Sequence, residues 1–133
     1  MTELEQKREF FKDDIYATET TGIEIEAVGK NYAKCSLKLD KKHMNAAGNP
    51  MGGAIYTLAD FTFAVATNPN ENAITVTTVG QISYLNVSKG SKLFAETKLI
   101  KNGRSVCFFE ISITDDLGTQ IAVVSITGTH LQK

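Results

Sequence analysis

A single acidic residue, Asp60, lies in an otherwise uncharged stretch between Met44 and Asn70. The segment around it, PMGGAIYTLADFTFAVATN, has the apolar composition of a buried helix that starts with two glycines. Burial of a lone carboxylate costs free energy unless the group is hydrogen-bonded or used. Carboxylates in such surroundings are also the ones whose pKa values are shifted for acid–base chemistry. Asp60 is therefore the first candidate for a catalytic group.

The glycine pair at the start of this helix is a second chemical feature, because the first amides of a helix have no partner within it. Pro50 has no amide hydrogen, so the free amides are expected mainly from Met51, Gly52 and Gly53. Such amides, at the positive end of the helix dipole, stabilise a carbonyl oxygen that gains negative charge. The alternative is that the two glycines only permit close packing of the helix.

The spacing of the two features limits how they can cooperate. Asp60 lies eight residues after Gly52, which is ~12 Å along a helix axis. Reacting atoms must approach within ~3–3.5 Å, so the two residues of one helix cannot act on the same carbonyl. If both serve one reaction, they must come from antiparallel helices of two copies. The alternative for Asp60 is a structural carboxylate that is hydrogen-bonded to Thr57, Tyr56 or a backbone group.

Periodicity places these residues in an α+β fold. A short amphipathic helix is expected at about 3–16, and the long helix from about Pro50 to Thr67, with Asn49 as its N-cap. The alternating apolar pattern predicts strands before the long helix (Ile23 to Val28 and Tyr32 to Leu39) and four after it (residues 73–87, 91–101, 105–114 and 119–131). The sequence thus predicts one domain over residues 1–133, an antiparallel sheet curled around one central helix.

Turn signals and helix composition add two expectations. Asn102-Gly103 predicts a hairpin of the type that needs positive φ, and residues 115–118 predict another. Ile55, Leu58, Thr62 and Val65 form the expected core side of the long helix. The opposite side carries small and polar groups around Asp60 (Gly53, Tyr56, Thr57, Ala64 and Thr67), and we expect it to meet a second subunit.

Composition excludes several functions. With 14 basic and 15 acidic residues, the chain has no overall field for binding nucleic acid or an anionic membrane. Its charged start resembles neither a signal peptide nor a membrane span, so a cytoplasmic protein is expected. Cys35 and Cys107 fit small core residues better than a disulfide, and two separated histidines do not indicate a metal site. For His43, a solvated loop position is favoured over a catalytic one.

The segment NAAGNPMGGAIYTLAD resembles the N…G…HGG…LaD segment of the hotdog-fold thioesterases, in the group typified by the phenylacetate-pathway acyl-CoA thioesterase. The resemblance implies hydrolysis of an acyl-CoA thioester to free coenzyme A and a carboxylic acid. It implies no cofactor, since coenzyme A is part of the substrate, and a homodimer or dimer of dimers. The alternatives are a non-catalytic acyl-CoA binder or sensor on the same fold and, ranked last, a hydratase, which needs a histidine paired with an acid.

The resemblance also implies residue roles. The Gly52 amide, helped by Asn45, would polarise the thioester carbonyl, and Asp60 of the facing subunit would act as nucleophile or general base. Thr77, with Thr78 as the alternative, would hold the nucleophilic water. The departure from the family is Met51, which stands where the family usually has a histidine that is not the nucleophile.

Substrate contacts are expected beside these groups, from the residues Met51, Gly53, Tyr84, Phe61, Lys101 and Arg104. Tyr84 and Phe61 would line the acyl pocket, or only pack in the core or an interface. Lys101 and Arg104, beside the Asn102-Gly103 turn, would meet the phosphates of coenzyme A, or only keep the hairpin tip soluble.

Overall fold

The computed structural model describes residues 1–68 and 73–132, and within them one antiparallel sheet surrounds one long helix. The helices are α1 (Glu3–Phe11) and α2 (Gly52–Thr67), and the strands are β1 (Ile23–Gly29), β2 (Tyr32–Lys38), β3 (Ala73–Tyr84), β4 (Lys92–Asn102), β5 (Val106–Asp115) and β6 (Gln120–Gln132). The strand order is β1-β2-β4-β5-β6-β3. Helix α2 contacts all six strands, which confirms the predicted α+β fold with a sheet curled around a central helix.

The core is built from the alternating positions of the strands and one side of α2. Ile55, Leu58, Thr62 and Val65 are buried, as predicted, and the phenyl rings of Phe63 and Phe109 meet edge to face with centroids 5.4 Å apart. Thr67, expected on the exposed side, is buried and its hydroxyl donates to the carbonyl of Phe63. Cys35 and Cys107 are buried free thiols, as expected of small core residues.

Helix α2 begins two residues later than predicted. Its N-cap is Met51, which makes no side-chain capping bond, and not Asn49. The preceding loop explains the shift: Met44 and Pro50 form an isolated β-bridge, and the Met51 amide donates to the carbonyl of His43 at 2.8 Å. These contacts hold Pro50 in an extended segment, so the helix begins after it.

The N-terminal segment is not one helix over 3–16. Helix α1 ends at Phe11, and a separate π-helical turn, Tyr16–Thr21, follows. Arg8 donates to the carbonyl of Ile25, which fastens α1 to β1. The π-helical turn ends at Gly22, where φ is 90°, a conformation that glycine adopts without steric cost. The break between the two elements directs residues 14–17 toward α2.

The hairpins are partly as predicted. Gly118 has φ of 84° in the β5–β6 turn, as the predicted turn requires. The Asn102-Gly103 turn has no positive φ, so that prediction is wrong. The connection runs over residues 103–105, and the Gly103 amide donates to the carbonyl of Val106 at 2.8 Å. A Cβ on Gly103 would lie 2.7 Å from that oxygen, so close approach is the reason for glycine here.

Strand β3 has an unusual position for its place in the chain. It pairs with β6 and lies at one end of the sheet, so it does not pair with the next strand, β4. Its 12 residues include Val76 and Val79, whose side chains are 40% and 58% exposed. No helix within residues 1–68 and 73–132 combines the length and apolarity needed to cross a bilayer.

Candidate active site

Asp60 lies on the exposed side of α2 and contacts the edge strand. Its carboxylate is exposed in the single chain, so the predicted burial is wrong for one chain alone. The hydroxyl of Thr77 donates to Asp60 Oδ1 at 3.1 Å. The expected structural partner Thr57 instead donates to the carbonyl of Gly53 at 2.8 Å. The structure therefore joins the two residues that the sequence proposed as acid and water-holding hydroxyl.

A β-bulge decides between Thr77 and Thr78. The register with β6 shifts between Thr77 and Val79, which leaves Thr78 as the extra residue. The Thr78 hydroxyl lies 2.5 Å from that of Thr129, whereas Thr77 meets Asp60. The geometry thus places Thr77, and not its neighbour, beside the carboxylate.

A cleft of about 300 Å³ opens beside Asp60, and we call it the Asp60 cleft. Its walls come from the π-helical segment and from α2 (Asp14, Ile15, Tyr16, Ala17, Thr57, Asp60, Phe61 and Ala64). Phe61 is buried, with its ring edge to face against Phe11 at 5.7 Å between centroids. Phe61 therefore contributes both to core packing and to the wall of this cleft.

Asp14 is the residue in this cleft that the sequence analysis missed. Burial raises the pKa of Asp14, and repulsion from Asp13 and Asp60 raises this pKa further. Asp14 and Asp60 both line this cleft. No local pattern marks Asp14, because the contact depends on how residues 12–17 turn after α1.

A second cleft, of about 340 Å³, opens at the start of α2, and we call it the Gly52 cleft. Its lining combines the loop before α2 with the end of β3 and the chain after it (Asn45, Asn49, Pro50, Gly52, Ile55, Tyr84, Leu85, Asn86, Val87 and Ser88). The amides of Gly52 and Gly53 have no hydrogen-bond acceptor among the described residues. The Met51 amide, also expected to be free, is bonded to His43.

Asn45 and Tyr84 shape the Gly52 cleft. Asn45 Oδ1 accepts from the amides of Ala47 at 3.0 Å and Asn49 at 3.1 Å, which leaves its amide nitrogen as the group available for donation. The Tyr84 hydroxyl donates to the carbonyl of Gly52 at 2.9 Å. A Cβ on Gly52 would lie 2.9 Å from that hydroxyl, so a larger residue here would displace the Tyr84 side chain.

Met51 and Gly53 flank the same helix start. The Met51 side chain is 57% exposed and makes no capping bond. Gly53 is exposed, and an added Cβ there would meet nothing within 4 Å. Close packing of the helix start against Tyr84 therefore accounts for glycine at position 52, whereas Gly53 faces open space in the single chain.

His43 is buried, so the expectation of a solvated loop histidine is wrong. The Asp40 amide donates to His43 Nδ1 at 3.0 Å, and Nε2 lies 2.7 Å from the carbonyl of Thr21. Because Nδ1 accepts, Nε2 carries the proton and donates to Thr21. The side-chain bonds of His43 thereby fix the loop before α2, and the carbonyl of His43 accepts from the Met51 amide. Asp40 and His43 form a capping box at the short 3-10 turn of residues 41–43.

Lys101 and Arg104 are exposed near the β4–β5 connection. Neither lines the Gly52 cleft or the Asp60 cleft. Within residues 1–68 and 73–132, no cluster of three histidine, cysteine, aspartate or glutamate residues is arranged to hold a metal ion. The candidate chemical groups thus lie in two clefts on the exposed side of α2, one at its start and one at its middle.

Comparison with known proteins identifies the fold and the family. The model of the family described as "Thioesterase superfamily" matches residues 47–122, a range that includes α2, the loop segment after Asn45 and strands β3 to β5. This chain belongs to the thioesterase superfamily. A protein of Archaeoglobus fulgidus, whose name gives esterase as a conjectured activity, is 30% identical over 127 residues, which are 92% of this chain and 82% of that protein.

Solved structures share the fold at lower identity. The E. coli PaaI protein from the phenylacetic acid degradation operon matches with a TM-score of 0.87 at 18% identity, over 97% of this chain and 94% of that chain. A hypothetical thioesterase from Streptococcus pneumoniae, solved with coenzyme A, matches with a TM-score of 0.82 at 22% identity, over 92% and 98% of the two chains. The hotdog fold expected from the resemblance is therefore confirmed.

Proposed function

We propose that this thioesterase-superfamily member hydrolyses an acyl-CoA thioester to free coenzyme A and a carboxylic acid, in a site shared by two copies of the chain. The observation that carries the proposal is the separation of two half-sites on one helix. Free amides lie at Gly52, and a carboxylate with its hydroxyl partner lies at Asp60, eight residues further along α2. These groups are ~12 Å apart in one chain, so one site needs both copies.

The Gly52 half-site would bind the thioester carbonyl. The Gly52 amide would donate to the carbonyl oxygen, and the amide nitrogen of Asn45 is available as a second donor in the same cleft. Preorganised donors of this kind contribute on the order of 10²–10³-fold to the rate, because they stabilise the oxyanion of the tetrahedral intermediate. The bond from the Tyr84 hydroxyl to the Gly52 carbonyl holds the peptide that joins Gly52 to Gly53, directly after the donating amide.

The Asp60 half-site of the second copy would supply the attacking oxygen. As a general base, Asp60 takes a proton from water, the hydroxide adds to the carbonyl carbon, and collapse of the intermediate expels the thiolate of coenzyme A, which takes up the proton. As a nucleophile, Asp60 attacks the carbonyl carbon, the C–S bond breaks with release of the thiolate of coenzyme A, and water then hydrolyses the resulting acyl anhydride to the carboxylic acid and free Asp60. In both routes the Thr77 hydroxyl, 3.1 Å from Asp60 Oδ1, orients the carboxylate or its water.

The exposed edge of β3 supports a dimer. Natural proteins protect long edge strands. Strand β3 is 12 residues long, and the apolar side chains of Val76 and Val79 on it are exposed. Pairing of β3 with its copy would cover the edge and bring the exposed sides of the two α2 helices together. A dimer, or a dimer of such dimers, is the assembly we propose.

Coenzyme A is the proposed thiol because the Streptococcus pneumoniae relative of the same fold was solved with it. Lys101 and Arg104 are the cations proposed to meet its phosphates. The competing function is a non-catalytic acyl-CoA binder. The side chain of Met51 favours this function, because it is exposed, makes no capping hydrogen bond and adds no polar group beside the Gly52 cleft.

Mixed dimers test the proposal. Wild type and Asp60→Asn are assayed for thiol release on a panel of acyl-CoA thioesters, with Glu110→Gln, an exposed substitution on β5, as the control. Gly52→Pro removes the amide donor at the first helical position, where proline is tolerated. If the two groups act across the interface, mixed Asp60→Asn and Gly52→Pro chains regain about a quarter of wild-type activity, because half of the dimers carry one intact site.

Three results would contradict hydrolysis in a shared site. Equal rates for wild type and Asp60→Asn would remove Asp60 from the reaction, and binding of thioesters without thiol release would favour the non-catalytic binder. Two inactive variants that stay inactive after mixing would place both groups in one chain.

A further inference from the structure

The Asp60 cleft combines apolar walls with two carboxylates. Ile15 and Tyr16 are 50% and 68% exposed, and they line the cleft together with Phe61. Exposed apolar side chains in a concave cleft are typical of a ligand site, because a bound apolar group covers them. The charged residues that line this cleft are Asp14 and Asp60. Its walls therefore suit an apolar acyl group, and its formal charges are both negative.

Hydrogen bonds hold the backbone of Asp14 at the cleft. Its amide donates to the carbonyl of Phe11 at 3.0 Å, and its carbonyl accepts from the amide of Thr18 at 2.9 Å. The Thr18 hydroxyl donates to the same carbonyl at 2.9 Å. Phe11 is buried and packs edge to face against Phe61, which is the residue after Asp60 on α2. These contacts anchor Asp14 to the helix that carries the candidate catalytic carboxylate.

The Asp14 carboxylate has no counter-ion in the part of the chain that the structure describes, and it makes no side-chain hydrogen bond there. Lys12, the basic residue nearest to it in the sequence, is paired with Glu9 at 2.5 Å. Burial raises the pKa of Asp14, and the charges of Asp13 and Asp60 raise this pKa further. The surroundings of Asp14 thus already oppose its own negative charge, and they would oppose a further negative charge in the same way.

The second half of the proposed shared site supplies no positive charge. Every described residue that lines the Gly52 cleft is uncharged, and Lys101 and Arg104 line neither cleft. A carboxylate on an acyl group in this site would therefore lose contact with water and gain no counter-ion, which costs binding free energy. It would also face the like charges of Asp14 and Asp60, which adds to this cost.

We propose that Asp14 is a specificity-determining residue, which makes the site discriminate against acyl groups with a second carboxylate and in favour of uncharged, apolar acyl groups. This inference rests on the proposed hydrolysis and names its substrate class. The excluded class is the monothioesters of dicarboxylic acids. Specificity of this kind combines a repulsive element against the wrong substrate with apolar contacts to the right one. Asp60 adds to the repulsion but serves the chemistry, whereas Asp14 touches no reacting atom and can be changed separately.

Acyl-CoA thioesters of equal chain length test the proposal. Glutaryl-CoA ends in a carboxylate, pentanoyl-CoA ends in a methyl group at the same place, and the monomethyl ester of glutaryl-CoA keeps the polarity without the charge. Thiol release gives kcat/KM for each, and wild type should use glutaryl-CoA least efficiently. We expect Asp14→Asn to raise the ratio of kcat/KM for glutaryl-CoA to that for its monomethyl ester about tenfold, because like charges across a partly solvated cleft interact with about this strength. Asp14→Lys should raise the ratio further.

Two controls separate the charge of Asp14 from other effects. Glu110→Gln on β5 changes the net charge of the chain as Asp14→Asn does, but far along the sequence at an exposed position, and should leave the ratio unchanged. Salt screens charge and not shape: the Debye length is about 10 Å at 0.1 M and about 3 Å at 1 M ionic strength. The wild-type discrimination should therefore fall severalfold at high salt, and that of Asp14→Asn should fall less. The coenzyme A part is the same in both substrates, so its salt dependence cancels in the ratio.

An unchanged ratio in Asp14→Asn and Asp14→Lys, or an equal change in Glu110→Gln, would overturn the role of Asp14. Thioether analogues of the same acyl-CoA molecules, in which a methylene replaces the thioester carbonyl, give the ratio of affinities by calorimetry without turnover. A shift of this affinity ratio in a protein that releases no thiol would support the selectivity and refute the proposed hydrolysis. Thiol release with an unshifted ratio would refute the role of Asp14 alone.

Discussion

The hydroxyl of Thr77 on β3 donates to Asp60 Oδ1 on α2 at 3.1 Å, across a separation of 17 residues. This bond fixes the orientation of the one carboxylate of the helix. Asp60 is exposed in the single chain, so the bond also joins the helix to the strand edge that would meet a second copy.

Removal of the Thr77 hydroxyl should lower activity without affecting the fold. Thr77→Val keeps the shape of the side chain but loses the bond to Asp60, and a hydrogen bond to a charged group contributes about 1.5–3 kcal/mol, which is a fall of about 10- to 150-fold in kcat/KM. Thr77→Ser should retain most of the rate. The control is Thr78→Val, whose hydroxyl contacts Thr129, and a loss in this variant equal to that of Thr77→Val would contradict the assignment.

Substitutions at Gly52 should separate sterics from the amide donor. Gly52→Ala keeps the amide but places a Cβ 2.9 Å from the Tyr84 hydroxyl, and we expect a rate loss of about tenfold from the displaced peptide. Gly52→Pro also removes the donor, which should cost on the order of 10²-fold more. Gly53→Ala, where an added Cβ meets nothing within 4 Å, should stay close to wild type. Thiol-release kinetics measure all three.

The Tyr56 hydroxyl on α2 lies against Gly80 on β3, so close that a Cβ on Gly80 would be 1.8 Å from the Tyr56 oxygen, and this contact predicts coupled stability effects. Gly80→Ala should lower the free energy of unfolding by about 1–2 kcal/mol, because the Tyr56 ring must move away. In the Tyr56→Phe background the same change should cost less, since the atom at 1.8 Å is gone and the next lies at 3.0 Å. Urea unfolding of the four proteins of this cycle measures the coupling, and strictly additive effects would show that the contact is absent.

Asp14 predicts a pH-dependent stability. Burial and the charges of Asp13 and Asp60 raise the pKa of Asp14 above 3.8, so the folded state binds more protons than the unfolded state in the window just above that value. The contribution of Asp14 to the free energy of unfolding is fully present below pH 3.8 and is lost as the pH rises through the folded-state pKa. Asp14→Asn should therefore be more stable than wild type at pH 7, with a difference that disappears toward pH 4.

Asp116 provides a control of opposite sign. Hydrogen bonds from Ser91 and nearby backbone amides lower the pKa of Asp116. Its contribution to the free energy of unfolding is therefore present above pH 3.8 and is lost as the pH falls through the folded-state pKa. Asp116→Asn should be less stable than wild type at pH 7. Thermal unfolding at pH 7 and pH 4 compares the two variants, and the same sign for both would contradict the interpretation.

Lys101 and Arg104 should affect binding of the nucleotide part of the substrate. The double change Lys101→Glu and Arg104→Glu should raise KM for an acyl-CoA about 3- to 10-fold, most strongly at low ionic strength, because exposed charge pairs are screened by salt. The same acyl group on pantetheine, which lacks the nucleotide phosphates, should show no change. A similar KM increase for both substrates would exclude the phosphate contact.

Local patterns in the sequence were sufficient for the elements and for the chemistry of α2. Alternation of apolar residues predicted six strands, and the glycine pair with Asp60 eight residues later marked the candidate site. Start signals were less reliable: Asn49 and Pro50 resemble a cap and a first turn, but the bridge between Met44 and Pro50 delays the helix. A contact between residues distant in the chain overrode the local preference.

The site itself illustrates where sequence reasoning ends. Helix geometry alone separates Asp60 from Gly52, because the rise per residue does not depend on the fold. Which threonine meets Asp60, how His43 is buried, and that Asp14 lies in the same cleft depend on a bulge, a loop and a π-helical turn. These depend on packing between separate elements, so only the tertiary structure decides them, whereas periodicity and spacing belong to the sequence by itself.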